Sequence, residues 1–582
     1  MANLYSTRNI VKIPSTVLSD SQPKWKLNVS LQELQSANQI IQLASSYITR
    51  MMDVVVEDGL HLENIEDGEK RLKTILGVIE KKEEKRKSIK EKIIKTVKKD
   101  SSSNTKKSVE KWSRDLFKET YIPHLCCIHI DKTSHYDRLN KGFTITLFDE
   151  ENGEVISEVN FKRFLSTSAS IKESEVFYVN EIYKEILEEY INCGRDMSVG
   201  FVPGKLSAYQ ALTMSSSNLV TNTYNVCVVD DIEHEITTSV MELDDSKQEE
   251  PIITRIDDYK MNLNCSDGFG FIDPTFAETW ANDLQLYHTP SAFIVRNAFC
   301  KGVLARFPYK EFAKENNIDT IKDVWGKEWN IDEVDIVLTT SMLKLANSYP
   351  SWDDYFQKTQ KYGYTFSVTK QTPKTLDMER TTNYQFIQSM DWDDEDIKGF
   401  LKPSIDEIKA IKGEDWRQSL VYLRGMNLTE DSNVVRNEFT TGMMIEPNLI
   451  KDPYVRSSIN QMIKKRINDC KKGTIKVRGN YQTVICDPIL LAQSMLGLEV
   501  KGILKEGEFH SEFWNRLGID YVIQFRAPMV SANNIGCANL VTNEETKRWY
   551  RYLDTLFIFN GYDATCARLS GCDFDKPVTL SK

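Results

Sequence analysis

Two stretches dense in short strand patterns, residues 197–375 and 473–575, flank a mainly helical stretch from about Asn383 to Lys472, and this alternation limits the fold more than any other feature. The segments Tyr224–Val229, Ala292–Arg296, Thr474–Arg478, Thr483–Cys486, Tyr521–Phe525 and Thr555–Phe559 are short apolar or β-branched runs bounded by turn-forming residues. Strands of that length are stable only in packed sheets. The pattern therefore predicts an α+β chain in which two β-rich modules are joined by a helical connector.

With 582 residues, 41% of them apolar, the chain has material for roughly three or four domains. The net charge of −11 excludes a uniformly basic nucleic-acid binder, so any contact with a polyanion must come from a local patch. Eleven cysteines without a CxxC pair, and only seven histidines, favour reduced thiols over a disulfide framework or a zinc ribbon. No run of 18 apolar residues occurs, and Met1–Arg8 lacks an apolar signal core. The expectation is a soluble protein of the cytoplasm with no membrane partner.

Ahead of the first β-rich stretch, residues 1–121 read as helical. Leu31, Leu34, Ile40, Ile41, Leu43 and Ile48 follow helical spacing, and a charged helix runs from about Glu69 to Lys98. Its basic run, Lys81 to Lys99, is either an arm beside nucleic acid or a solvated face with i,i+4 ion pairs. Residues 101–107 read as a flexible tip. Between 122 and 194 a small α/β region is expected, with strands at 143–148 and 155–164 and a helix over 179–193. His124-Leu125-Cys126-Cys127-Ile128-His129 gathers four candidate ligands, but strand alternation sends them to opposite faces, so a buried strand is expected. No fixed-period repeat is present, which excludes a solenoid.

Several residues can carry chemistry. Cys265-Ser266-Asp267-Gly268-Phe269-Gly270 is a glycine-rich turn between strands. Arg296 and Lys301 flank a strand turn, and Lys344 follows in Ser341-Met342-Leu343-Lys344. Cations among apolar strand residues are costly to bury unless they meet an anion, commonly a phosphate. Arg526 closes a strand in Phe525-Arg526-Ala527-Pro528. Asp573 and Asp575, in Gly571-Cys572-Asp573-Phe574-Asp575, can both turn toward one hard cation such as Mg²⁺.

Taken in order, the glycine-rich turn, Arg296 with Lys301-Gly302, Ser341 to Lys344, the helical connector, Arg526-Ala527-Pro528 and Gly571 to Asp575 resemble the two-barrel RNA polymerases. The similarity is to their single-chain branch, the eukaryotic silencing RNA-dependent polymerases and the YonO-like polymerases of SPβ-type phages. Pro203-Gly204-Lys205-Leu206 through Ser215-Ser216-Ser217 resembles the lead-in of that branch. The resemblance spans roughly residues 195–575. It implies a double-psi β-barrel over 195–375, a connector over 376–472, and a second, incomplete barrel over 473–575 followed by a tail at 576–582.

The function it implies is template-directed RNA synthesis from nucleoside triphosphates on a DNA template, in a phage-infected or prophage-bearing bacterium. An RNA template, or a catalytically inactive nucleic-acid-binding protein, are the alternatives. Asp573 and Asp575 would be Mg²⁺ ligands, Lys301 and Lys344 would face the transcript end and the nucleotide phosphates, and Arg296 and Arg526 would be nucleotide-binding cations. Where the family loop continues Gly-Asp, this chain has Lys576-Pro577 and lacks the third acid. A split or intron-interrupted enzyme completed by a carboxy-terminal fragment is the corresponding expectation, with an open sheet edge on the second barrel.

Overall fold

The computed structural model describes residues 7–57, 62–99, 103–221, 223–244, 246, 252–413, 415–419, 438–572 and 577–581. Among them lie three sheets of seven strands, and helices connect or cover the sheets, so the chain is α+β.

The first sheet runs β2-β5-β6-β7-β4-β1-β3, with β1 Arg8–Pro14, β2 Lys26–Ser30, β3 Ile40–Leu43, β4 Tyr121–His129, β5 Phe143–Phe148, β6 Val155–Leu165 and β7 Glu175–Asn180. Three of its strands come from the region read as helical. Ile40 and Ile41, assigned above to a helix, pair with Val11 and Ile10. β-branched residues in so short a run satisfy a strand ladder as well as a helix, and only the partner strand decides. β4 buries Leu125, Cys126, Cys127 and Ile128, as its apolar run requires, while His124 and His129 take separate partners on Asn180 and Glu173.

The charged helix Gly68–Lys99 folds back on the helix Ser103–Thr120, whose first turn includes residues read as flexible. Its basic run forms the ion pairs of a solvated face, Lys82 with Glu57 at 2.8 Å and Lys85 with Glu119 at 2.6 Å. Arg86 is the exception. It is buried and, together with buried Arg8, grips Asp53.

The second sheet runs β8-β18-β13-β14-β12-β17-β9 and the third β19-β20-β24-β21-β23-β22-β25. Their strands are β8 Asn218–Leu219, β9 Val226–Val229, β12 Phe269–Ile272, β13 Ala292–Asn297, β14 Cys300–Arg306, β17 Ile336–Thr339 and β18 Ser367–Gln371, then β19 Glu379–Thr381, β20 Lys476–Cys486, β21 Glu508–His510, β22 Tyr521–Phe525, β23 Ile535–Leu540, β24 Leu556–Phe559 and β25 Pro577–Ser581. The two sheets repeat one topology. β9 pairs with β17 in parallel as β20 does with β24, and β12 with β14 as β21 does with β23. The antiparallel pairs β12–β17 and β13–β14 match β21–β24 and β22–β23.

In the third sheet β25 pairs with both β20 and β22, so six strands close into a ring. Residues read above as a tail thus occupy the edge expected to be open. β20 is one continuous strand where two were expected; Asn480 and Gln482, polar yet buried, carry it across the gap.

The two sheets share one apolar core, with Phe269, Phe271 and Val303 packed alongside Val484, Ile485, Phe557 and Leu569. A long hairpin, β10 Glu233–Asp244 with β11 Ile252–Asn264, springs from between β9 and β12, and a short one, β15 Thr320–Lys322 with β16 Glu328–Asn330, from between β14 and β17. The connector docks through Phe386, whose ring centroid is 4.5 Å from that of Phe525.

Candidate active site

The cations of the second sheet are brought together by strand register and backbone hydrogen bonds. Arg296 and Lys301 face each other directly across the β13–β14 pair. The Lys301 N–H donates to the Met342 carbonyl at 3.0 Å, and the Lys344 N–H donates to the Phe299 carbonyl at 3.0 Å. The β13–β14 turn and the turn after β17 are therefore laced together, and all three cations sit at one end of the sheet. Each is partly buried. Lys344 Nζ lies 3.6 Å from Asp267 Oδ1, and Arg296 folds its Nη1 onto the carbonyl of Val295 at 2.7 Å.

The glycine-rich turn packs against the same end. Gly268 has φ of +75°, and its carbonyl accepts from Val303 N–H at 2.8 Å. Gly302 permits that approach, since a Cβ there would stand 2.5 Å from the Gly268 carbonyl oxygen and 2.6 Å from Met342 Cε.

Asp231, which the sequence reading did not single out, binds these turns to one another. Its Oδ1 accepts from Ser341 Oγ at 2.7 Å and Ser266 Oγ at 3.0 Å, its Oδ2 from Thr340 Oγ1 at 3.0 Å. Ser341 Oγ in turn accepts from the Gly268 N–H at 2.9 Å. The available signal was an acid at the end of a buried strand followed, after a long interval, by hydroxyl-rich turns. Nothing local in the sequence joins the two.

In the third sheet Arg526 stands at the end of β22. Its Nη1 donates to the carbonyls of Leu569 and Ser570, both at 2.8 Å. Asn534 Nδ2 donates to the Arg568 carbonyl at 2.6 Å, and Ser570 Oγ to the Pro528 carbonyl at 2.6 Å. Cys572 is buried, with its N–H on the Cys566 carbonyl at 2.8 Å. The approach to the acidic pair is thus held rigidly. Asp573 and Asp575 themselves lie outside the described residues. Among the described residues no three His, Cys, Asp or Glu side chains gather as a metal site.

The topological repeat relates these loops. The turn carrying Lys344 follows β17 as the 560–572 loop follows the equivalent strand β24, and the β13–β14 turn corresponds to the β22–β23 turn that begins at Arg526. The base of the β10–β11 hairpin also meets the start of the 560–572 loop. His234 Nδ1–H donates to the Gly561 carbonyl at 3.0 Å, and the Cys265 thiol donates to the same oxygen at 3.5 Å. A hydrogen bond with Cys486, aided by His234, holds the Cys265 thiol below its usual pKa against the opposing effect of burial. The Cys265 contact, reinforced by the Gly561 carbonyl, raises that of His234.

The profile of the RNA dependent RNA polymerase family matches residues 149–575, most of the chain. The chain belongs to that family. The chain is also 26% identical over 413 residues to the DNA-directed RNA polymerase YonO of Bacillus phage SPbeta, an alignment that takes in 69% of this chain and 46% of that one. Among solved structures, the RNA dependent RNA polymerase QDE-1 from Thielavia terrestris superposes with a TM-score of 0.48 at 12% identity, over 79% of this chain and 49% of that one. The chain therefore spans about half the length of these proteins. Among the described residues no helix is long and apolar enough to cross a membrane.

Proposed function

We propose that the chain carries out Mg²⁺-dependent, template-directed RNA synthesis, with DNA as template, in the cytoplasm of a bacterial host. The observation that supports this most is the clustering of Arg296, Lys301 and Lys344 on one sheet, while the matching loop of its topological twin leads to Asp573 and Asp575. The phage relative described as DNA-directed favours a DNA template over the RNA template of the family's title.

In this reading Lys301 and Lys344 neutralise the triphosphate and the transcript end. Arg296 supports them from across the strand pair, and Arg526 contributes at the nucleotide-binding side while bracing the acidic loop. Two carboxylates offer the all-oxygen donors that suit a hard divalent cation. Mg²⁺ held by Asp573 and Asp575 would lower the pKa of the attacking 3′ hydroxyl and screen the phosphates. The chain's own cations supply the remaining charge neutralisation, and the hydrogen bonds of Asp231 keep their turns in place.

Primer extension on DNA and RNA templates tests the proposal. Incorporation on DNA that disappears in Asp573→Ala, and falls on the order of 10²–10³-fold in Lys301→Ala, is the expected result. Incorporation on RNA alone would favour the second template. If neither template supports incorporation, the inactive binder is the better description. An arm with added polypeptide corresponding to the rest of the phage relative tests the split enzyme.

A further inference from the structure

The helix Pro453–Lys471 in the connector has two unlike faces. Val455, Ile459 and Ile463 are buried against Ile411, Met443 and Ile450. On the other side Arg456, Asn460, Gln461 and Lys464, with Lys451 just ahead of the helix, line an open concavity of about 520 Å³ whose lining among the described residues is basic and neutral. The helix carries Arg456, Lys464, Lys465, Arg466 and Lys471 against the single acid Asp469, in a chain whose net charge is −11. Asp452 is engaged as the N-cap of this helix, its Oδ1 accepting from the Tyr454 and Val455 N–H groups, while the dense acidic run of the connector, Asp391 and Asp393 to Asp396, is exposed at the start of the helix Asp394–Lys412.

Placement gives this face its meaning. The Asp394–Lys412 helix supplies Ile411 to the core under the basic helix, and its Phe400 packs with Phe386 and Trp392 onto Phe525 and Met529. Gln385 Oε1 also accepts from the Met529 N–H at 3.4 Å. The basic helix therefore belongs to a bundle seated on the strand end that carries Arg526. Cations interleaved with amide donors are the groups that hold phosphodiester oxygens without reading bases.

We propose that this face of the Pro453–Lys471 helix is a sequence-independent binding surface for the backbone of a nucleic acid. It uses the polymerase reading to choose the ligand, and its test needs neither nucleotide nor metal. Fluorescence anisotropy of the full chain with a labelled single strand, a DNA duplex and an RNA–DNA hybrid separates the sources of the backbone. In K451Q/R456Q/K464Q the affinity for at least one of them should drop on the order of 10²-fold, and the slope of log affinity against log salt should shrink by about 2–3 between about 50 and 200 mM.

The control K73Q/K81Q/K87Q removes the same charge from exposed positions on the Gly68–Lys99 helix. An equal loss in that control would mean that net charge alone acts, and would overturn the proposal. So would unchanged binding in the first variant with its thermal unfolding intact, or displacement of the oligonucleotide by an equimolar acidic peptide. Salt-dependent binding that needs Lys451, Arg456 and Lys464 in a protein with no primer-extension activity would sink the functional reading and leave this surface standing.

Discussion

Arg526 Nη1 lies 2.8 Å from the carbonyl oxygen of Ser570, three residues before Asp573. The same nitrogen reaches the carbonyl of Leu569, so a cation at a strand end holds two successive carbonyls of the loop that leads to the acidic pair. A hydrogen bond from a charged donor contributes about 1.5–3 kcal/mol. Arg526→Ala should therefore lower the unfolding free energy by about that amount, as read by urea denaturation. It should also reduce incorporation more than Arg526→Lys, which keeps the charge but has a single compact donor group.

Close approach at Gly302 makes a second prediction. A methyl group there meets the Gly268 carbonyl and Met342, both fixed by the β14 strand and its neighbouring turns. Overpacking of this kind costs about 1–3 kcal/mol, and Gly302→Ala should show that loss together with reduced incorporation. Gly77, mid-helix with nothing within 4 Å of its notional Cβ, provides the contrast. Gly77→Ala should raise stability by about 0.5–1 kcal/mol, and a thermal melt of each variant checks both signs.

Asp487 is fully buried beside the shared core. Its Oδ1 accepts from Ile489 N–H at 2.9 Å and Tyr550 OH at 2.8 Å, its Oδ2 from Ile503 N–H at 2.5 Å and Leu504 N–H at 3.0 Å. Asp487→Ala would strand those donors away from water, and a loss of about 3 kcal/mol or more is expected. Asp487→Asn retains some acceptor capacity and should lose less. Chemical denaturation of the two variants ranks them.

The contact between the β10–β11 hairpin and the 560–572 loop at His234 carries a pH dependence. The His234 pKa is raised, chiefly by the Cys265 thiol and then by the Gly561 carbonyl. A raised folded-state value means that the stabilisation is complete below the usual imidazole value, about 6.5, and fades as pH rises through the higher folded value. The stability difference between the wild type and His234→Gln should thus be larger at acid than at alkaline pH. An NMR titration of His234 should move to a lower midpoint in Cys265→Ala. An unmoved midpoint would disprove the assignment of the cause.

The turns and strand ends of the candidate site could be read in the chain because the features concerned are local. The turn at Gly268, the Lys301-Gly302 pair and the Arg526-Ala527-Pro528 strand end each announce themselves within a few residues, and their order along the chain indicated the polymerase family before any coordinates. The Val179–Cys193 helix was read correctly in substance, since the structure has a helix at Glu181–Asn192. Its periodicity is strong and its partners lie on one face.

What the chain could not reveal locally is pairing. Ile40 and Ile41 suit a helix or a strand equally until Ile10 and Val11 lie beside them, and Pro577–Ser581 is an unremarkable tail until it lies between β20 and β22. Asp231 acquires its role only because Ser266 and Ser341, far along the chain, come within hydrogen-bonding distance. The repeat of one strand topology in two sheets leaves no periodic trace in the residues, since strand pairing constrains burial and register rather than identity. The sequence determined where the cations, carboxylates and glycine turns lie along the chain. Tertiary structure decided which of them share one end of a sheet, because backbone hydrogen bonds between distant strands, and not local propensity, set those distances.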